Sequence, residues 1–82
     1  MLEKKTFPID LVYVPVKRAK TLEANKVLAL AEDMLENGQT TPVRLRADGE
    51  RYVLLEGLHR LEALRALGEA TIVAYVVHAR LH

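Results

Sequence analysis

The sequence contains neither cysteine nor tryptophan in its 82 residues. Without a thiol, disulfides, thiolate-bound zinc and cysteine nucleophiles are all excluded. Aromatic side chains are scarce as well, limited to Phe7, Tyr13, Tyr52 and Tyr75, so any core must be aliphatic. No sign of charge dominates: 12 Lys and Arg oppose 11 Asp and Glu, a net +1. That balance gives no chain-wide field to hold nucleic acid or an anionic membrane. No apolar run approaches the ~18 residues of a membrane span. Met1-Leu2-Glu3-Lys4-Lys5 lacks the apolar stretch of a signal peptide. The expectation from these absences is a soluble, cytoplasmic protein with no membrane partner.

What is present is globular composition, 50% hydrophobic and 28% charged, which argues against disorder. The length suits a single domain, 1–82, with its core at about 7–77. A domain this small buries a thin core, which makes a homodimer an expectation.

Hydrophobic periodicity divides the chain into five main elements. Phe7, Ile9 and Leu11 alternate with Pro8 and Asp10 as in a half-buried strand, and Pro8 suggests an edge. Tyr13 to Lys20 reads as a basic, proline-punctuated loop. A helix is predicted to start between Leu22 and Lys26, with Thr21 or Asn25 accepting its first amides. Val27, Leu28, Ala31, Met34 and Leu35 form its apolar stripe, and Asn37-Gly38 its stop. After Pro42, Val43 to Arg46 is a strand with Val43 and Leu45 on one side and Arg44 and Arg46 on the other. Asp48-Gly49 is a hairpin signal, and the returning strand, Tyr52 to Leu55, is apolar on both faces and so central. A second helix runs from about Leu58 to Leu67, with Leu61, Leu64 and Leu67 buried and Gly68 ending it. The last strand is Thr71 to Val77. Strand, helix, hairpin, helix and strand make an α/β (α+β) domain with a small mixed sheet and two main helices.

The junction Leu55-Glu56-Gly57-Leu58-His59-Arg60 carries the most chemistry. Glycine permits a sharp turn and a close approach to the backbone. The helix that follows has no Ser, Thr, Asp or Asn to satisfy its first amides. Those free amides, at Leu58 to Arg60, and the positive end of the helix dipole suit an anion. Arg60 adds a planar fork and His59 a further donor. Glu56 beside them could hold a metal ion, a ribose or a proton in transit. The alternative is an ordinary helix start, with glycine as cap and His59 and Arg60 in solvent.

A resemblance along most of the chain bears on that choice. Gly38-Gln39-Thr40-Thr41-Pro42-Val43-Arg44-Leu45-Arg46 resembles the segment of the ParB/sulfiredoxin superfamily in which a glycine, then proline and arginine, follow the first helix, and Tyr52 to Gly68 resembles the second ParB segment. The second segment's glycine, arginine, alanine and closing glycine fall at Gly57, Arg60, Ala63 and Gly68. Val14-Pro15 followed by Arg18 is similar to the family's earlier proline–arginine loop. The resemblance implies a single ParB/sulfiredoxin-like domain that binds nucleotide phosphate at Gly57, Leu58, His59 and Arg60, with Arg18, Lys26 and Arg46 as a basic shell. It implies ATP or CTP with Mg2+ as ligand, and Glu56 as a magnesium contact. Sulfiredoxin chemistry itself is excluded, because the cysteine of that branch's Gly-Cys-His-Arg turn is Leu58 here. Resemblance to the free-serine kinases makes Glu56 and Glu23 candidate catalytic carboxylates.

Three functions follow from these readings. The first is a nucleotide-binding module, stand-alone or truncated, of a bacterial-type DNA-partition, plasmid-maintenance or regulatory protein. The second is a small ATP-dependent phosphotransferase or nucleotide hydrolase using Glu56. The third is an adaptor that reaches DNA through a partner, since no helix-turn-helix follows in this sequence. Arg44, Arg46 and Arg51, with Lys17, Arg18 and Lys20, could track a nucleic-acid backbone or simply be solvated. His78 and His82 would share a face only in a helical tail, and no third metal ligand accompanies them. Tyr75 and Val77 are candidate interface residues on the last strand.

Overall fold

The computed structural model describes residues 4–78. Glycine and proline punctuate the chain where the sequence suggests. In order come β1 (Lys4–Pro8), a 3-10 turn (Ile9–Leu11), β2 (Val12–Tyr13), α1 (Val16–Ala19) and α2 (Ala24–Asn37). They are followed by β3 (Val43–Asp48), β4 (Arg51–Glu56), α3 (Leu58–Ala66) and β5 (Thr71–His78). The five strands form one mixed sheet in the order β1-β5-β3-β4-β2. β3 is central; it pairs antiparallel with β4 through the Asp48–Arg51 hairpin and parallel with β5.

Two expectations at the N-terminal end need correction. Phe7, Ile9 and Leu11 do not share a strand, because β1 ends at Pro8 and the chain winds into the 3-10 turn. The reason lies in the topology: β1 and β2 are opposite edges of the sheet, yet only the three residues of that turn separate them. In a flat sheet those edges would lie about 19 Å apart, at ~4.8 Å per strand spacing. A short 3-10 turn, rising only ~2 Å per residue, cannot span that. The sheet therefore curls, bringing Phe7 of β1 against Tyr52 of β4 with ring centroids 4.8 Å apart. Second, the stretch from Tyr13 to Lys20 is not all loop, since Pro15 caps the single turn of α1. Proline suits this position because its fixed φ and missing N–H cost nothing just before a first helical turn.

The helices pack on one face of the curled sheet. Leu58, Leu61 and Leu64 of α3 and Met34 of α2 meet Val43, Leu45, Leu54, Ile72 and Ala74 in a single core cluster. The α2 stripe differs from the expected one. Val27, Leu30, Ala31 and Met34 face the core, whereas Leu28 and Leu35 are 65% and 76% exposed. Four apolar residues at the right spacing already fill the contact with α3, and the helix is too narrow to bury a wider stripe there. Gly38 ends α2 at positive φ, 72°, but its ψ of −172° makes it extended rather than the left-handed stop expected, a conformation open essentially to glycine alone.

β2 and β4 are parallel neighbours, Val12 opposite Tyr52 and Tyr13 opposite Val53. The chain leaves both at the same end of the sheet, toward α2 and α3 respectively. That topology brings the N-termini of the two long helices together.

Candidate functional site at the paired helix starts

α3 opens at Gly57, which adopts φ 105°, a left-handed conformation that favours glycine. A Cβ at this position would lie 2.4 Å from Val43 Cγ1 and 2.8 Å from Val43 Cβ. Two demands thus converge on one residue: a backbone angle that other residues resist, and direct contact with the central strand. No side chain caps α3. Leu58 turns its side chain into the core, so it offers the turn only its amide. His59 and Arg60 are half-buried on the same first turn, and the Arg60 guanidinium has no ion pair among the described residues.

His59 reaches across to the other helix start. The backbone N–H of Glu23, the N-cap residue of α2, donates to His59 Nε2 at 3.1 Å. An accepting Nε2 leaves the proton of a neutral imidazole on Nδ1. Neither expected cap is used at α2: Thr21 Oγ1 donates to the Arg18 carbonyl at 2.7 Å, and Asn25 lies inside the helix. In a capping box the third helical residue would be Glu or Gln and would reach back to that N-cap amide. Here the position holds Lys26, which has nothing to accept with. Its ammonium pairs instead with the Glu23 carboxylate at 2.7 Å. That hydrogen bond and charge hold the Glu23 carboxyl below its ordinary range, slight desolvation opposes them, and His59 adds a weaker pull in the same direction.

The structure therefore gathers Glu23, Lys26 and His59 into one contact set, beside Gly57, Leu58 and Arg60. Arg18 stands in α1, on the segment leading into α2. Arg46 is not brought to this group. It lies opposite Val53 and Val77, on the sheet face turned away from the helices.

Glu56 also faces away from the helices. The β3–β4 register shifts between Arg44 and Leu45: Leu45 is paired with Leu54, but Arg44 with Glu56. The extra residue, Leu55, makes a bulge that turns Glu56 onto the outer face, where regular alternation would have aimed it at the core. There it borders a depression of about 430 Å³ with Thr41, Pro42, Arg44 and Tyr75. Sequence reasoning missed Gln39, whose amide bonds Val73 twice. Val73 N–H donates to Gln39 Oε1 at 2.8 Å, and Gln39 Nε2 donates to the Val73 carbonyl at 2.8 Å and to the Thr41 carbonyl at 3.0 Å. The side chain continues the β5 ladder beyond the start of β3. Nothing in the sequence distinguishes it from any polar residue after a helix stop.

His78 is the last residue of β5, not part of a helix, and His82 lies outside the described residues. Among the described residues no three His, Asp or Glu are grouped to hold a metal. No described helix is long and apolar enough to cross a membrane.

Residues 5–81 match the ParB N-terminal domain. The chain belongs to that family. No curated protein sequence matches, but solved structures do. Sulfiredoxin from Arabidopsis thaliana is 25% identical, with a TM-score of 0.85 over 94% of this chain and 86% of its own. The truncated chromosome-partitioning protein ParB from Caulobacter crescentus, complexed with CTP-γ-S, is 19% identical at TM-score 0.78. A free serine kinase in complex with AMP is 18% identical at TM-score 0.78. The match covers 98% of this chain but only 46% of that ParB chain, and 93% of this chain but only 31% of the kinase. At those identities the likeness to ParB and to the kinase is one of fold. The fold is the α/β one expected, a five-stranded mixed sheet with helices.

Proposed function

We propose that this ParB N-terminal domain binds a nucleoside triphosphate, ATP or CTP, with its phosphates at the start of α3. The observation that carries the reading is the uncapped α3 N-terminus, opened by a glycine pressed against the central strand. Its free amides and dipole favour an anion. Arg60 supplies a bidentate fork, and His59, with Nε2 engaged by Glu23, donates through Nδ1. Lys26 strengthens the case: a lysine in the first turn of α2 opposes the helix dipole, a placement that suits an anion better than it suits the helix. Arg18 completes the basic shell. Magnesium would arrive on the nucleotide's own phosphates, since the described residues offer no three-ligand cluster. Fold relatives solved with CTP-γ-S and AMP agree with this ligand class.

The proposal is binding without turnover. Glu23 is tied to Lys26 and Glu56 faces the outer side of the sheet, so neither carboxylate stands free beside the phosphates. In a cytoplasmic setting such a module would serve a larger DNA-partition or regulatory assembly, reaching DNA through other domains or partners.

The test is a titration with ATP, CTP, ADP and inorganic phosphate in magnesium buffer, followed by amide NMR. Shifts centred on Gly57 to Arg60 are expected, together with at least about a tenfold loss of affinity in Arg60→Ala, the worth of one charge-assisted contact. The variant should keep the parent's unfolding midpoint. Silence at that turn for every ligand, or undiminished binding by the variant, would overturn the reading, and phosphate release would replace it with an enzyme.

A further inference from the structure

The outer face of the sheet carries a second arrangement, which does not depend on the nucleotide reading. Lys4, Tyr75, Arg44 and Glu56 stand in one row across β1, β5, β3 and β4. Arg44 and Glu56 are directly opposed and carry opposite charges, yet no ion pair or hydrogen bond joins them, and neither has another partner among the described residues. They stand together because of the bulge at Leu55; without it Glu56 would point to the core side. A bulge is the device by which a strand re-aims one side chain.

The depression they border holds about 430 Å³, within the range of small-molecule sites. Pro42 and Tyr75 give it apolar surface and Thr41 a hydroxyl. The wall formed by Thr41 and Pro42 is fixed in advance, because Gln39 anchors that segment to the Val73 backbone and to the Thr41 carbonyl. Preorganisation of this kind lowers the cost of binding.

We propose that this depression binds a zwitterionic α-amino acid with an apolar side chain. Arg44 takes the carboxylate through its planar fork. Glu56 accepts from the ammonium, and the side chain lies over Pro42 and Tyr75. A ligand of single charge would leave one of the two groups unanswered. A ligand without an apolar body would leave the aromatic and proline surface in water.

The probe is L-leucine, titrated by amide NMR up to about 50 mM, above the millimolar affinity expected of so few atoms. Shifts should concentrate at Thr41, Arg44, Glu56 and Tyr75 and leave Leu58 to Arg60 unmoved. Isoamylamine and 4-methylpentanoate, each lacking one charge, should bind at least about tenfold more weakly. Arg44→Gln and Glu56→Gln, both exposed and so free of folding cost, should lose a similar factor. The proposal is overturned if leucine moves none of these amides, if either singly charged analogue binds as well, or if both variants bind like the parent. Nucleotide titration of the same variants separates the two sites, since a failure here leaves binding at α3 intact.

Discussion

The starts of α2 and α3 lie side by side, face the same end of the sheet, and meet opposite fates: one is closed, the other left open. Neither helix caps itself with a side chain. α2 borrows an acceptor: His59, from the first turn of α3, takes the Glu23 amide. α3 has no such help, and its amides stay open behind a glycine whose replacement would overlap Val43. The difference teaches that an uncapped helix start has two causes. At α2 the missing cap is supplied by a neighbour, whereas at α3 the vacancy is built into the backbone. A site for an anion belongs to the second kind.

The largest test of this contrast is Gly57→Ala. The left-handed conformation costs a non-glycine residue about 1–2 kcal/mol, and the overlap with Val43 adds about 1–3 kcal/mol of overpacking. Denaturant unfolding should show a combined loss of about 2–5 kcal/mol. Gly68→Ala is the control, because Gly68, after α3, is also at positive φ (77°) but its Cβ would meet nothing within 4 Å. It should lose about 1–2 kcal/mol. Equal losses at the two glycines would mean that the approach to Val43 is not a constraint.

Next in size is His59→Ala. It leaves the Glu23 amide without its protein acceptor, although water can reach it, so a loss of about 1 kcal/mol is expected. Lys26→Gln sharpens the point by offering the Glu23 amide a second acceptor, the reciprocal half of a capping box. With His59 already on that amide and the Glu23–Lys26 pair lost, it should leave stability within about 0.5 kcal/mol of the parent and make His59→Ala cheaper in the double variant. Additive effects would show that His59 and position 26 do not serve the same amide. By removing a cation from the first turn, Lys26→Gln should also weaken phosphate binding.

The contrast was half legible in the sequence. Gly57 announced itself, because a glycine between an apolar strand and a helix lacking a capping residue has few other uses. Alternation at Val43 to Arg46, the Asp48-Gly49 hairpin and the glycines after the helices are likewise local signals, and the structure follows them. What the sequence hid depends on partners distant in the chain. His59 meets Glu23 only because β2 and β4 run parallel, and no periodicity encodes that neighbour. The bulge at Leu55 reverses Glu56 against a regular pattern that gives no warning of it. Leu28 and Leu35 have the right spacing for the core, and their exposure follows from how narrow a strip α3 covers.

The smallest effect is the acid limb of stability. Lys26 lowers the Glu23 carboxyl relative to the unfolded chain, chiefly through its hydrogen bond and then through its charge. A carboxyl depressed on folding contributes stability above its unfolded pKa and loses it as the pH falls through the lower folded value. The pair should therefore support the domain at neutral pH and stop doing so below the ordinary carboxylate range. Glu23→Gln should lie slightly below the parent in unfolding midpoint near neutrality and converge with it in acid. Because the pair is exposed, 0.5 M salt should shrink the gap, as screening shortens the reach of surface charges to a few ångströms, about 4–5 Å. Convergence in acid would assign Glu23 to holding the start of α2 through its charge. A gap constant with pH would assign its contribution to the side chain's shape, and Lys26 would then be released to face an anion alone.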